Sequence, residues 1–301
     1  MAAKLRIARV AGVVAALATA LLAPASASSG LVAATNGVLT MSSDAGDYVG
    51  GGLNWSYATP SDYMKLGSET WGTARVFVYG ANGNDFWSLS FTAPGGAPLT
   101  PGRYDDARRT SDDVHPGLDV EGVGRGCNDS NGSFTVLSVS YGPYGYLQSL
   151  HAVFEQRCGF ATAALRGEID IAAPPAPTPL AVSVAVDPGG IVDRGDGSVR
   201  LKGTVTCSQP VGVASISGDV VQQQKKGTAS GYFNQISVSS CDTTPKAWQA
   251  TVTLSSTLRF SAGDASTQTR AAAVDDFYTN YFAALFVAQA TTDATLTLRN
   301  G

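Results

Sequence analysis

The stretch Trp71-Gly72-Thr73-Ala74-Arg75-Val76-Phe77-Val78-Tyr79-Gly80-Ala81-Asn82-Gly83-Asn84-Asp85-Phe86-Trp87-Ser88-Leu89-Ser90-Phe91 decides the fold class. Through residues 71–79 the side chains alternate, with Thr73, Arg75, Phe77 and Tyr79 on one side and Ala74, Val76 and Val78 on the other. In residues 86–91 the same rhythm puts Trp87, Leu89 and Phe91 on one face. A repeat of two belongs to a pleated strand, whereas a helix repeats every 3.6 residues. The segment 80–85 between them is built of Gly, Asn and Asp, which accept the positive φ that a hairpin turn demands. The stretch therefore predicts two paired strands with one apolar face.

Working outward, short alternating runs recur between clusters of Gly, Pro, Asn and Asp. Further strands are predicted at 38–41, 48–57, 118–121, 134–141, 147–156 and 164–171, bringing the first half to about eight, enough for a two-sheet sandwich or jelly roll. In the second half they fall at 180–186, 199–207, 213–221, 234–240, 248–254, 267–274 and 290–298, a pattern that suits an immunoglobulin-like sandwich. Trp248 follows the second Cys of its half instead of lying between the two, unlike antibody domains, so the strand topology stays open. Residues 275–289 admit two readings. Phe277, Tyr281, Phe282, Leu285 and Phe286 fall at roughly helical spacing behind a capping Asp275, or the segment is an aromatic-rich loop across the sandwich. The triple Gly50-Gly51-Gly52 has no following Lys-Ser/Thr to make a phosphate loop, and is expected to be a bulge or close backbone crossing inside a sheet. The fold class read from the sequence is all-β, with two β-sandwich domains, jelly-roll-like at 28–172 and immunoglobulin-like at 180–301. A Pro-rich linker at 173–179 joins them.

Four cysteines respect that division. Of three possible connectivities, bonds crossing the Pro-rich segment would tie the halves together and defeat a semi-rigid spacer. The expected bridges are Cys127 to Cys158 and Cys207 to Cys241, each closing a loop worth about 3.7 kcal/mol in the chain-entropy model. Neither pair has zinc-ligand spacing, and the chain has only two His.

Lys4, Arg6 and Arg9 precede an apolar run at 10–22, and Ala25-Ser26-Ala27 supplies small residues for cleavage. This reads as a signal peptide over 1–27, and so as a secreted protein without membrane insertion. Its removal takes three cations and no acids, moving the formal net charge of −4 to about −7. An acidic balance of this kind excludes nucleic acid as a partner, because phosphate binding needs Lys and Arg in excess.

The residues for catalysis are sparse. His115, in Asp112-Asp113-Val114-His115-Pro116, is the one loop imidazole beside acids, and His151 falls on a strand face. Glu69, Glu121, Glu155 and Glu168 are the only Glu residues, and no nucleophile elbow or zinc-protease motif occurs. Glu155, beside Gln156 and Cys158, is expected to make an ordered hydrogen bond near the disulfide. No catalytic residue, metal ligand or cofactor is assigned. Clustered oxygens at Asp44 and Asp47, Asp105 and Asp106, Asp112 and Asp113, and at 128–131 leave structural calcium open, although the same residues are ordinary in turns.

Binding is better motivated. Tyr141-Gly142-Pro143-Tyr144-Gly145-Tyr146 gathers three rings around a tight turn, and Trp55 with Tyr57 shares one strand face. These five are the candidate ligand-binding residues, since aromatic rings at a sandwich edge can stack on sugars. In the competing reading Tyr144 and Tyr146 clamp a hairpin and Tyr141 enters the core. The expected function is an exported, non-catalytic binding or structural module at or outside the cell envelope, with cell-surface polysaccharide or protein as partner. The alternatives are a carbohydrate-binding protein using exposed aromatics and a secreted hydrolase.

The blocks at 44–52 (DAGDYVGGG), 117–128 (GLDVEGVGRGCN) and 154–159 (FEQRCG), followed by Ala164-Leu165-Arg166-Gly167-Glu168-Ile169, resemble a β-sandwich accessory domain of bacterial secreted multidomain proteins. That resemblance spans roughly residues 37–171 and implies export and modularity, with no established activity or catalytic residues. The second half looks like small secreted actinobacterial domains, through Asp187-Pro188-Gly189-Gly190, Gly203-Thr204-Val205-Thr206-Cys207, Cys241 and Trp248-Gln249-Ala250-Thr251-Val252. It too implies a family without an assigned function.

Overall fold

The computed structural model of the chain describes residues 30–68 and 72–301; the predicted leader, Glu69 and Trp71 lie outside the described residues. The protein is all-β, as the alternating pattern requires, and its strands gather into two sheets.

The first sheet contains β1 (Gly30–Ala33), β2 (Asn36–Ser43), β3 (Asn54–Ala58), β4 (Tyr63–Ser68), β5 (Thr73–Tyr79), β6 (Phe86–Thr92), β7 (Gly102–Arg108), β8 (Gly117–Gly122), β9 (Ser130–Tyr141), β10 (Leu147–Cys158) and β11 (Leu165–Ala172). Their order is β1-β4-β5-β6-β8-β7-β9-β10-β11-β2-β3. The opening hairpin forms as read: β5 and β6 pair from Thr73↔Thr92 to Tyr79↔Phe86, and Ala74, Val76, Val78, Trp87, Leu89 and Phe91 are all fully buried. Trp87 lies flat over Gly122, where a Cβ would come within 2.3 Å of the ring, so this position accepts no larger side chain. Gln156 is a buried substitute for a strand. Its carboxamide accepts from Val120 N at 2.8 Å and donates to Val120 O at 2.8 Å, tying β10 to β8 beside the first disulfide.

The second sheet contains β12 (Val182–Val186), β13 (Gly189–Val192), β14 (Val199–Cys207), β15 (Val211–Gln224), β16 (Gly227–Cys241), β17 (Lys246–Leu254), β18 (Gly263–Val274) and β19 (Val287–Asn300). Strand β14 pairs with β13 on one edge and β17 on the other, so β14-β13-β19-β18-β15-β16-β17 closes on itself as a barrel, with β12 beside β14. Both predicted bridges form: Cys127–Cys158 with Sγ–Sγ 1.96 Å and Cys207–Cys241 with 2.05 Å. One bridge sits at each core.

Two sequence expectations need correction, and one open reading is decided. Residues 48–53 are turn, and only 54–58 make the strand; Gly50, Gly51 and Gly52 therefore lie outside the sheet. The buried Asp47 organises that turn, accepting from Ser43 Oγ and Gly50 N at 2.7 Å each, while Gly51 and Gly52 adopt positive φ. The open segment resolves into a short helix, α1 (Asp276–Phe282), with Asp275 as N-cap, and β19 starts at Val287. Strands β1, β4, β7 and β13 were not anticipated from their short, Gly-bearing or charged sequences.

The helix interrupts the second sheet between β18 and β19 yet buries its rings in the first core. Tyr278 and Tyr281 are members of that core, with Phe282 and Phe286 packed against it. The Pro-rich segment is held to the same place. Tyr146 Oη donates to Pro174 O at 3.0 Å, Tyr278 Oη donates to Pro177 O at 2.5 Å, and Asp275 accepts from Leu180 N at 2.8 Å.

Candidate functional site

The five candidate rings separate into two groups. Trp55 and Tyr57 do share a strand face, and it is the inner one. Trp55 packs edge-on against Trp87 with centroids 5.2 Å apart and donates through Nε1 to Gly50 O at 3.0 Å. Tyr57 is buried; its hydroxyl donates to Asp85 Oδ2 and accepts from Trp87 Nε1, each at 2.9 Å, and burial pushes its phenol up to about 12. Tyr141 remains partly exposed, donating to Leu99 O at 3.2 Å.

Tyr144 and Tyr146 meet the helix. Tyr144 adopts φ 57° at the tip of the turn, an uncommon conformation for a bulky residue, and this aims its ring at Tyr278 and Phe286, both at 4.8 Å. Tyr146, almost fully buried, lies 4.8 Å from Tyr281 and 6.0 Å from Phe277. Edge-to-face and tilted pairs at these separations are each worth roughly 0.5–1.5 kcal/mol beyond their area. Burial pushes the Tyr278 and Tyr281 phenols up to about 12 and raises Tyr146 as well. The aromatic turn therefore serves a junction between the two halves of the chain.

The imidazoles do not meet in a common cleft. His115 Nδ1 lies 2.9 Å from Asp112 Oδ2, with Arg108 Nη2 2.7 Å from Nε2, in an exposed loop. Backbone donors from His115 and Val114, then the ring itself, hold the Asp112 carboxyl far below the usual range. His151 Nε2 is 2.7 Å from Glu168 Oε1 on the outer sheet face. Of the other carboxylates, Glu155 and Asp44 belong to a charge ladder. Arg157 and Arg166 both reach Glu155 at 2.6 Å, and Arg166 continues to Asp44 at 2.8 Å. Burial pushes Glu155 up, but the hydrogen bonds from the two guanidinium groups outweigh it and leave its carboxyl lowered. The hydrogen bond near the disulfide expected of Glu155 is made by its neighbour Gln156, which approaches Cys127 Sγ at 3.7 Å. Among the described residues, no three His, Cys, Asp or Glu side chains converge as a metal-holding group.

The feature the sequence reading missed is a seam in the second barrel. Strands β16 and β17 form a hairpin, but they pair only at Gly231↔Leu254 and Tyr232↔Thr253. Nearer the turn, β17 gives its other edge to β14 from Lys246 to Val252, while β16 stays with β15. The strands thus splay around a groove of about 500 Å³ lined by Ile236, Ser237, Ser239, Lys246, Trp248 and Gln249 among others. Trp248 is 4% exposed and stacks on Phe233 at 5.8 Å, and its Nε1 donates to no group among the described residues. Lys246 is paired with Asp242 at 2.8 Å at the closed end. A Trp at an alternating position just after the second Cys was visible in the sequence, but its partner strand was not.

Compared with protein-family models and with curated proteins, the chain matches none.

Proposed function

We propose that the protein acts outside the cytoplasm as a non-catalytic binding or structural component whose two β-sandwich domains, jelly-roll-like at 28–172 and immunoglobulin-like at 180–301, work as one rigid unit. The observation that supports this reading is the aromatic junction. Tyr144 and Tyr146 both pack on α1, Tyr144 with 44% of its surface left exposed, so the turn braces the 173–179 connection. The two bridged cysteine pairs are consistent with an oxidising, extracellular setting, and among the described residues no helix is long and apolar enough to cross a membrane. The imidazole–carboxylate pairs sit on exposed loops and sheet faces, where a reacting group would stay solvated. Extended sheet faces of fixed relative orientation suit a partner at the cell envelope, a polysaccharide or a protein.

The test is sedimentation of the purified exported chain with cell-wall and envelope preparations, in parallel with assays for hydrolysis of the same polymers. Retention without turnover is the expected result. Free protein in every fraction would remove the binding reading, and polymer cleavage would remove the non-catalytic one.

A further inference from the structure

Alternation along a half-buried strand puts every second residue on the outer face, where polar side chains are the rule. On β4, β5 and β6 the outer face breaks that rule. Tyr63, Tyr79 and Phe86 stand directly opposite one another across the three strands, and they are 50%, 40% and 37% exposed. Their ring centroids follow at 5.8 and 5.1 Å, and Phe77, one pleat along β5, stacks on Phe86 at 5.6 Å. Adjacent exposed rings mark an interaction site, and their cross-strand contacts hold each ring in place before a ligand arrives. The nearby turn is fixed as well. Asp62 accepts from Ala58 N at 2.8 Å and from Ala81 N at 2.9 Å, tying the approach to β4 to the turn between β5 and β6. One row further along the strands the face turns polar, with Lys65, Phe77, Ser88 and Glu121 in register on β4, β5, β6 and β8. Lys65 Nζ lies 5.7 Å from the Tyr63 ring at one end of the aromatic row, and Glu121 lies beyond the Phe86 end on the neighbouring strand.

We propose that this row is the stacking platform for a single neutral polysaccharide chain of β-linked, gluco-configured sugars, laid across the strands from Tyr63 to Phe86. The proposal names the ligand of the polysaccharide branch above and rests on that reading. Such a sugar carries its hydroxyls around the ring edge and C–H bonds on its two faces, so it offers an aromatic ring an apolar surface with a polar rim. The rings step by one strand spacing, about 4.8 Å, close to the length of one pyranose unit, so successive sugars meet successive rings. Charge selects the neutral chain. The cations beside the row, Lys65 and Arg75, are matched by the carboxylates Glu121 and Asp119 across β6. A charged polymer meets repulsion from one pair or the other, whereas hydroxyls donate to carboxylates and accept from cations. Another polypeptide finds no free strand edge here, because β4, β5 and β6 are each paired on both sides. The rings tilt against one another by 39° and 51°, so a twisted single chain can touch all three where a flat crystalline surface cannot.

The probes are cellohexaose and chitohexaose, titrated by calorimetry against the full exported chain, with hexagalacturonate as the charged control. At least one of the neutral hexamers binds, and hexagalacturonate does not. Tyr79→Ala removes the central ring and weakens binding about tenfold, the value of stacking on one ring. Tyr79→Phe keeps the ring and stays within about twofold of the parent. Tyr63→Ala and Phe86→Ala, at the two ends, each weaken binding by about threefold to tenfold. Glu121→Gln, which touches no ring, weakens it about fivefold through one charged hydrogen bond. Failure of both neutral hexamers to bind, tighter binding of hexagalacturonate, or unchanged affinity in Tyr79→Ala would overturn the proposal. So would a loss in Tyr79→Phe as large as that in Tyr79→Ala, since the ring would then not be the contact. Envelope retention that persists in the triple variant Tyr63→Ala, Tyr79→Ala, Phe86→Ala would also overturn it while leaving the broader binding reading in place.

Discussion

Replacing Tyr281 with Ala should uncouple the two halves of the protein without unfolding either of them. Tyr281 is 6% exposed, sits 4.8 Å from Tyr146 and 4.7 Å from Phe282, and its ring edge covers Gly30 so closely that a Cβ there would come within 2.6 Å. Truncating a buried aromatic side chain costs about 3–5 kcal/mol, and the contacts of Tyr281 with Gly30 of β1 and with Tyr146 at the turn before β10 join the two halves. The coupling between the halves is built from these contacts, so it should fall by a large part of that amount. Calorimetry should show a single transition in the parent chain. In Tyr281→Ala it should separate into two, with the 173–179 segment becoming a site of limited proteolysis. Alkaline titration gives an independent readout. Tyr278 and Tyr281 ionise near 10 when exposed and near 12 in the fold, so the protonated rings stabilise the junction fully below pH 10. That contribution is lost as the pH rises from about 10 through 12, and the transitions should separate in the same window. A Tyr281→Ala chain that still melts in one step, or that loses the second half together with the first, would refute the reasoning.

Three further outcomes follow from the same structure. Gln156→Leu leaves both polar groups of Val120 buried without partners, and should cost about 2–4 kcal/mol in urea unfolding of the first half, with the second unchanged. Cys207→Ala with Cys241→Ala should lower the stability of the second barrel by about 2–5 kcal/mol, read as a shift of one calorimetric transition only. In acid, Asp44 and Glu155 are held below their ordinary values of 3.8 and 4.5, so their contribution is complete above those values and is lost as pH falls through the lower folded ones. Melting followed from pH 6 to pH 2 should show this loss in the parent and a shallower one in Arg166→Met. An equal slope in both would rule the ladder out as its source.

The elements most legible in the sequence were those in which one face is buried and the other wet. Residues 73–79, 86–92 and 199–207 alternate cleanly because their inner side chains are fully covered. Strand β7 carries Arg103, Asp105 and Asp106 with only Ala107 buried, so its backbone pairing has no hydrophobic signature. The 48–52 turn read as strand because Tyr48 and Val49 are strand formers; the carboxylate of Asp47, which holds the turn, works through backbone bonds that residue patterns do not reveal. For the junction, the aromatic spacing of 277–286 was visible, but a single sequence says which residues are apolar and not which apolar surface they meet. Tyr144 and Phe286 lie 142 positions apart and touch only in three dimensions. The seam was hidden for a related reason. Both of its strands were expected, and the missing pairing between them is a property of β17 changing partner.

The position of α1 along the chain also sets an order of events. The first core takes in Tyr278 and Tyr281 although the last strand of its sheet ends at Ala172. A chain emerging amino end first therefore has every strand of that sheet available long before the rings that finish its core appear. Until then Tyr146 has no Tyr281 to meet, and the apolar surface beneath it is open to water or to any passing hydrophobic segment. The first core matures last, and a chain cut short before residue 276 should emerge with that surface exposed and aggregate despite a complete set of strands in the first sheet.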